Sequence, residues 1–597
     1  MAKSAKKKLQ NITYYVENKY FNYLMFATFA VFLMFFTTFK ITGDDDVFWH
    51  LATGKYVVET LHVPSTDIFG YMSESDAWMP FEWGWDVLTY IVYSFSGYAG
   101  LSVLRSILLF AVFGIFLHIL RKFKVNYTFI FIYLFVFAFA IIDRLTPRPH
   151  LISYLFFALF LLIIINYRYF DRENYKKLFF LPLIVLLWSN MHMGIIAGMF
   201  LLVIYFVSEV LMTYYQKRNK SKEIRSLTKP EIVRLLLIIV ACFLVMLINP
   251  NGYETYIYAY SHTKMRLLET VNEWRSPFNE NYRTSMVVML YWFFLAGGIF
   301  TLYFAVKKKD YFPFLLYAGF AVYSVRAIRF TVDYIIILFV FIVVSQYMWL
   351  VGLLSKKFKE AVFHTPYLKV AMALFFVYLI FPMKSNTLYL ETLRYYRITG
   401  FGINSDFIPV QMFDFMKVNN IPEIGSRIFN HFGTGGYFVW TFPGKKNFID
   451  SRNLNDTLFL KYSDILKKYP GFEKNLDEFG IDYAIYLAPD LVRSPEEMKT
   501  TIISYFCTSP NWKLIFWDDK SFLWVRNIPK FQELINKYEY KYFNQYTTAY
   551  RKDIIEKGLK EDKETVLKEF NRKVQEEPNG IVLNTFKITY QNRLFNN

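Results

Sequence analysis

Cysteine is almost absent. The chain has two in 597 residues, Cys242 inside an apolar run and Cys507 far away in the polar half. They cannot build a disulfide framework, and neither reports a redox compartment. No pair of His or Cys stands at ligand spacing, which argues against a zinc site. A phosphate-cradling glycine loop and a serine-nucleophile motif are also missing, so nucleotide-dependent chemistry finds no support. There is no internal repeat and no low-complexity segment. Ionisable residues are scarce inside the long apolar runs: Arg105 and Asp333 stand near outer ends, and Glu209 near an inner end. A transporter needs such groups near mid-depth, often on interrupted helices. The pattern favours chemistry at a membrane surface over passage through the membrane.

What the chain has in excess is aromatic and aliphatic bulk, with 55% hydrophobic residues, 65 Phe and 47 Tyr. Phe, Ile and Leu suit bilayer-spanning runs, with Tyr and Trp crowding their ends. A span needs roughly 17–25 apolar residues. Eleven runs, some of them short, are expected to cross: about 22–41, 101–120, 127–143, 150–167, 178–189, 194–214, 233–249, 286–305, 312–325, 332–351 and 367–383. Basic clusters at 3–8, 121–124, 168–177, 217–234, 307–309 and 356–369 alternate with loops at 42–85, 144–149, 189–193, 250–285 and 326–330 that hold far fewer. The positive-inside rule then puts the N-terminus in the cytoplasm and everything after about residue 384 outside. This distribution accounts for the net charge of +18 without nucleic acid. The basic head is not a cleaved signal, because the run after it is long enough to span and no small-residue cleavage site follows. Asp86 to Phe95 is too short to cross and reads as an interfacial or re-entrant helix.

From about 385 the apolar runs shorten and turn signals appear. Short strands are expected at 427–430, 437–442, 447–450, 482–487 and 522–525, alternating with helices at 454–468, 495–507 and 530–575. The expected organisation is a basic N-terminus (1–21), a polytopic α-helical membrane domain (22–384) whose first outer loop spans 42–100, an extracytoplasmic α/β domain (385–528) and a charged helical tail (529–597).

On this topology the unusual residues gather on the outer side. The first outer loop carries Asp44, Asp45 and Asp46, followed by Trp49 and His50 and later by Glu82. Arg144, Arg148 and His150 come from the second outer loop, His192 from the third, Glu273 from the fourth, and Arg326 and Arg329 from the fifth. Five loops far apart in sequence are thus expected to converge on one outward-facing cavity. Asp44 and Asp46 in an Asp-x-Asp arrangement either share a divalent cation (Mg or Mn) or hold one carboxylate as general base. The bland reading is an interfacial cluster capping the helix that follows. Asp46 and His50, four apart, share a helical face. Guanidinium groups where bilayer meets water fork onto phosphates and steady charge on a phosphate leaving group, or simply contact headgroups. His150 and His192 read as binding groups or as structural donors, and Glu82 and Glu273 as reserve carboxylates.

As an ordered set these residues resemble the bacterial GT-C membrane glycosyltransferases, most nearly a branch with Asp-x-Asp followed by Trp-His-Leu-Ala-Thr-Gly, as in Asp44 to Gly54. Similar too are Pro-x-Thr-Asp-x-Phe (Pro64 to Phe69), Glu82-Trp83, Arg148-Pro149-His150, Trp188-x-Asn190-x-His192, Asn249-Pro250-x-Gly252 and Glu273-Trp274-x-Ser276-Pro277. In the outer domain, Gly435-Gly436-Tyr437, Pro443-Gly444 and Ile449-Asp450-x-Arg452 complete the likeness, which covers roughly residues 20–530. The resemblance implies a GT-C fold, with a polyprenyl-phosphate sugar as donor and a glycan, lipid or protein as acceptor. It implies that Asp44 or Asp46 deprotonates an acceptor hydroxyl that attacks the anomeric carbon with inversion. The departing phosphate is met by arginines such as Arg148, Arg326 or Arg329. Asp45, His50, Glu82, Arg144, His150, His192 and Glu273 are then substrate-binding candidates, and no cofactor is certain. A lipid-sugar flippase and a non-catalytic assembly or acceptor-docking protein are the alternatives.

Overall fold

A computed structural model describes residues 19–219, 226–269, 271–355, 366–452 and 455–595. The basic head at 3–8 and parts of the basic loops at 217–234 and 356–369 lie outside them. The chain divides into two compact units, one made of 1–41 and 81–402, the other of 42–80 and 403–597. Residues 42–80 of the first outer loop therefore group with the C-terminal domain rather than with the helices that flank them.

In the first unit every one of the eleven expected apolar runs is helical. Among the described residues seven helices are long and apolar enough to cross a membrane: Lys19–Thr37, Trp83–Lys122, His150–Phe170, Ile195–Asn219, Met286–Lys308, Ile328–Leu353 and Pro366–Lys384. Tyr127–Ala140 and Tyr311–Ser324 are apolar but shorter. Phe180–Ser189 and Lys229–Val245 occupy the remaining two runs. The expected short helix at 86–95 is the opening of Trp83–Lys122, set off from the rest by a break at Gly97 (φ 57°, ψ −153°) that glycine alone adopts easily. Thr331–Leu353 is apolar all round, with every residue from Tyr334 to Val343 buried, as a helix enclosed by others must be. Packing explains the phenylalanine content. Phe32 lies with Phe36, Phe135 and Phe376 at centroid separations of 5.5, 5.5 and 5.7 Å, and Phe29 meets Phe376 edge-on at 5.2 Å.

In the second unit four strands, β1 (Ile428–Asn430), β2 (Tyr483–Leu487), β3 (Trp512–Asp518) and β4 (Ser521–Arg526), form one sheet in the order β1-β2-β4-β3. β1 and β2 run parallel, and the other pairs are antiparallel, with Ile485 opposite Leu523. The strands expected near 428, 483 and 522 are present; β3 was not anticipated. Residues 437–442 form no strand. The helix Gly435–Thr441 takes their place, because tertiary contacts described below override the β-preference of an aromatic run. Residues 447–450 join the sheet in no ladder and make a single bridge, Asn447 to Gly70.

The segment after 529 packs onto this sheet as the helices Gln532–Tyr538, Gln545–Tyr550, Lys552–Glu561, Lys563–Glu576 and Ile581–Phe595. β3 is an edge strand, and its carbonyls are covered from this segment. Arg572 donates to Ile515 O at 2.9 Å, Lys573 to Trp517 O, and Gln545 to Asp518 O. An uncovered edge invites pairing with other chains. Phe543, Phe570 and Phe586 are buried with Trp517 beneath it.

Candidate functional site

The acidic triplet leads into the helix Asp46–Thr60, and its three carboxylates have different surroundings. Asp45 is buried and accepts the backbone N–H groups of Gly436 (2.8 Å) and Tyr437 (2.9 Å), at the start of Gly435–Thr441. Those are donors that a helix leaves unsatisfied, and an acidic group suits the positive end of the dipole. A side chain at residue 436 would put its Cβ 2.5 Å from the Asp45 carbonyl oxygen, so only glycine permits the approach. Burial pushes the Asp45 carboxyl up to about 8 against these two donors, with the charges of Asp450 and Asp46 adding to the rise. Asp46 is half-buried and receives the Ser451 hydroxyl and, at 3.3 Å, the Trp49 indole N–H. Asp44 and His50 are buried, and the His50 ring lies 3.7 Å from the Trp49 ring.

Behind the triplet, motifs separated by nearly 400 residues close into one buried ion cluster. Arg452 forks onto Asp450 through Nε (2.8 Å) and Nη2 (2.6 Å), and reaches Asp67 through Nη1 (2.7 Å). Asp67 also takes the backbone N–H groups of Phe69 and Gly70, at 2.9 and 3.0 Å. The guanidinium lies over Trp78 at 4.4 Å. Burial raises the Asp450 carboxyl, but Arg452 and the Asn447 amide outweigh it and hold the group below its ordinary value. Arg452, Asp450 and Asp67 satisfy one another here, so the Pro-x-Thr-Asp and Ile-Asp-x-Arg motifs meet in one ion cluster.

The first unit gathers the other expected residues. Arg144 contacts Glu273 at 2.5 Å, and Arg329 reaches the other oxygen of Glu273 at 3.6 Å while lying over the Trp274 ring at 4.4 Å. Burial raises the Glu273 carboxyl, yet Arg144, Arg329 and Arg148 together bring it down to about 2. His192 Nε2 faces Glu82 at 3.7 Å, and burial together with Arg329 and Arg144 lowers its imidazole to about 3. His150 donates through Nε2 to the Arg144 carbonyl at 2.8 Å, which fixes the loop that presents Arg144. Burial raises the neighbouring Asp143 to about 6. Arg326 is exposed. Five segments, holding Glu82, Arg144 to His150, His192, Glu273 and Arg329, therefore meet in one place. The charged side chains at its heart are 15–30% exposed, open enough to meet a ligand.

Sequence reasoning missed three contributors: Ser451, Asn447 and, in the first unit, Ser153, which bonds to His192 at 2.7 Å. Small hydroxyl and amide residues carry no spacing signal, and only the partners reveal them. Among the described residues no group of three or more His, Cys, Asp or Glu is placed to hold a metal ion. A divalent cation at Asp44 and Asp46 would therefore need donors from elsewhere, and no step below is routed through one.

No protein-family model matches the chain, and no curated protein is similar to it in sequence. Solved structures are similar in fold. The Archaeoglobus fulgidus oligosaccharyltransferase tethered with an acceptor peptide superposes with a TM-score of 0.51 at 11% identity, over 86% of this chain and 74% of that one. The archaeal oligosaccharyltransferase AglB from the same organism, in complex with an inhibitory peptide and a dolichol-phosphate, gives 0.52 at 12% identity, over 85% and 75%. With a set of apolar helices in one unit and a small mixed sheet in the other, the chain shares the fold of these oligosaccharyltransferases.

Proposed function

We propose that this protein is an integral-membrane glycosyltransferase that moves a sugar from a polyprenyl-phosphate carrier to an acceptor at the outer face of the cytoplasmic membrane, with its N-terminus on the cytoplasmic side. Asp44 or Asp46 takes the proton of an acceptor hydroxyl. The freed oxygen attacks the anomeric carbon, the bond from that carbon to the phosphate oxygen breaks, and the configuration inverts. The phosphate departs with its negative charge met by Arg148, Arg326 or Arg329. Asp45 is set aside as the base because backbone N–H groups already occupy its oxygens.

The observation that carries this reading is the partly exposed cluster of guanidinium, carboxylate and imidazole groups drawn from five segments of a helical unit with membrane-crossing character. The ligands of the fold's relatives, a dolichol-phosphate and an acceptor peptide, support a lipid-linked donor and a separate acceptor. The test uses the full chain in lipid with a panel of polyprenyl-phosphate hexoses. Asp44→Asn, Asp46→Asn and the double variant should remain folded in the membrane. At least one single variant and the double variant should lose transfer by about 10²–10⁴-fold, the range for a general base. Undiminished transfer in all three would overturn the assignment.

A further inference from the structure

The gap between His192 and Glu82 has a chemical meaning. His192 Nδ1 accepts the backbone N–H of Gly194 at 3.1 Å. It also lies 2.7 Å from the Ser153 hydroxyl, whose oxygen in turn accepts the Trp188 indole N–H at 2.7 Å. The Gly194 N–H can only donate, so Nδ1 is an acceptor, and the Ser153 hydroxyl, which takes the Trp188 N–H on its oxygen, gives its own hydrogen bond to Nδ1 as well. Nδ1 is therefore the bare nitrogen, and Nε2 carries the hydrogen. The arrangement is tight. A Cβ at Gly194 would sit 2.4 Å from Ser153 Oγ and 2.7 Å from His192 Nδ1, so a larger residue there displaces the ring.

The Nε2–H faces Glu82 Oε1 at 3.7 Å, and both side chains are 17% exposed. That separation is too long for a direct hydrogen bond, whose N···O distance runs to about 3.2 Å. Polar groups held slightly too far apart are bridged by a third atom. Were the imidazole charged, it would pair with the carboxylate and close the gap. Its own burial and the guanidinium groups of Arg329 and Arg144 keep it neutral. A neutral donor beside an acceptor matches a hydroxyl group, which accepts from Nε2 and donates to Oε1. It does not match a phosphate, which the carboxylate would repel.

We infer that His192 and Glu82 form a hydroxyl-binding pair for the transferred sugar, with Ser153 as the positioning residue that sets the imidazole tautomer. The inference rests on the transferase reading above and adds the sugar-recognising group to it. It also divides the labour in this cluster: arginines for the phosphate, His192 and Glu82 for a sugar hydroxyl.

Two measurements test it. In the first, the full chain with ¹⁵N-labelled histidine is followed by NMR from pH 5 to 8, and His192 is assigned among the eight histidines by the spectrum of His192→Gln. The expected signature is a protonated Nε2 and a bare Nδ1 that does not titrate, with mixed tautomers in Ser153→Ala. An imidazolium at pH 7, a protonated Nδ1, or an unchanged tautomer in Ser153→Ala would overturn the pair without touching the transferase reading. In the second, polyprenyl-phosphate hexoses and their single-deoxy analogues are compared as donors. His192→Ala should raise KM on the order of ten-fold for the parent sugar, the worth of one hydrogen bond. It should add nothing for the one analogue that lacks the bound hydroxyl, and His192→Gln should recover part of the loss. Equal losses on every analogue would mean a merely structural histidine and would sink the inference. Wild-type inactivity on every such lipid would instead count against the transferase reading, and the NMR measurement would still decide the state of His192.

Discussion

The helix His150–Ile165 and its continuation to Phe170 run from one charge cluster to another of opposite character. At about 1.5 Å per residue His150 and Arg168 are roughly 27 Å apart. At the far end Arg168 pairs with Glu209 and, at 2.6 Å, with Asp310, while Arg172 reaches Glu209 at 3.0 Å. The Arg168, Arg172 and Glu209 side chains are 0–5% exposed, and Tyr169 gives its hydroxyl to Asp310 at 2.8 Å. At the near end the Arg144, Arg329, Glu273, His192 and Glu82 side chains keep 15–30% of their surface. The difference teaches how to tell architecture from chemistry. Charges that consume one another out of reach of solvent hold helices together, whereas charges that pair yet stay partly exposed remain within reach of a ligand.

The largest expected effect falls on the closed end. Glu209→Ala takes a carboxylate from both Arg168, which keeps only Asp310, and Arg172 in a dry environment, and removing one partner of a buried pair costs about 3–5 kcal/mol. Folded yield and melting temperature in detergent should collapse, while Glu273→Ala, whose arginines keep access to water, lowers both by much less. If Glu273→Ala unfolds the protein as badly, the distinction fails. Next comes Glu273→Gln, expected to lower transfer by about 10–100-fold, as fits the loss of a charge-assisted contact worth roughly 1.5–3 kcal/mol. Kinetics on membranes of equal protein content would read it.

A smaller, graded effect belongs to Asp45. Its carboxyl is pushed up to about 8 in the folded chain, so the folded form keeps a proton that the unfolded chain gives up above its ordinary value of 3.8. Stability should therefore fall as pH climbs from about 4 toward 8, by at most about 1.4 kcal/mol per pH unit. Asp45→Ala should flatten that dependence in thermal melts of the full chain, and an unchanged slope would speak against it. The smallest effect concerns Glu273, whose folded value near 2 lies below the ordinary 4.5. Its contribution is present above about pH 4.5 and fades only as pH falls toward 2. Comparing wild type with Glu273→Gln between pH 5 and 8 should give parallel melting curves, and divergence there would contradict the ion cluster.

Much of this was legible beforehand because it rests on periodicity and composition. The eleven apolar runs became helices, and of the residues expected to converge, Arg144, His150, His192, Glu273 and Arg329 lie together. Residues 437–442 look like a strand by aromatic content, but the Asp45 carboxylate draws the Gly436 and Tyr437 N–H groups into a helical turn, a contact no local pattern announces. The triplet looked symmetric about Asp45 as a string of letters. In space its middle member is bonded to backbone, and its third is bonded to Ser451. The region after 529 looked like a charged appendage because its amphipathic helices bury one face only, and the sheet edge that this face covers had not been foreseen.

Asp45 and its backbone partners are separated by 391 and 392 positions along the chain. A ribosome adding about 5–20 residues per second needs on the order of 20–80 s to travel that distance. Throughout this interval Thr42 to Pro80 has emerged while the segment it folds with does not yet exist. Every newborn copy must keep that aspartate-rich stretch soluble and unpaired until synthesis catches up.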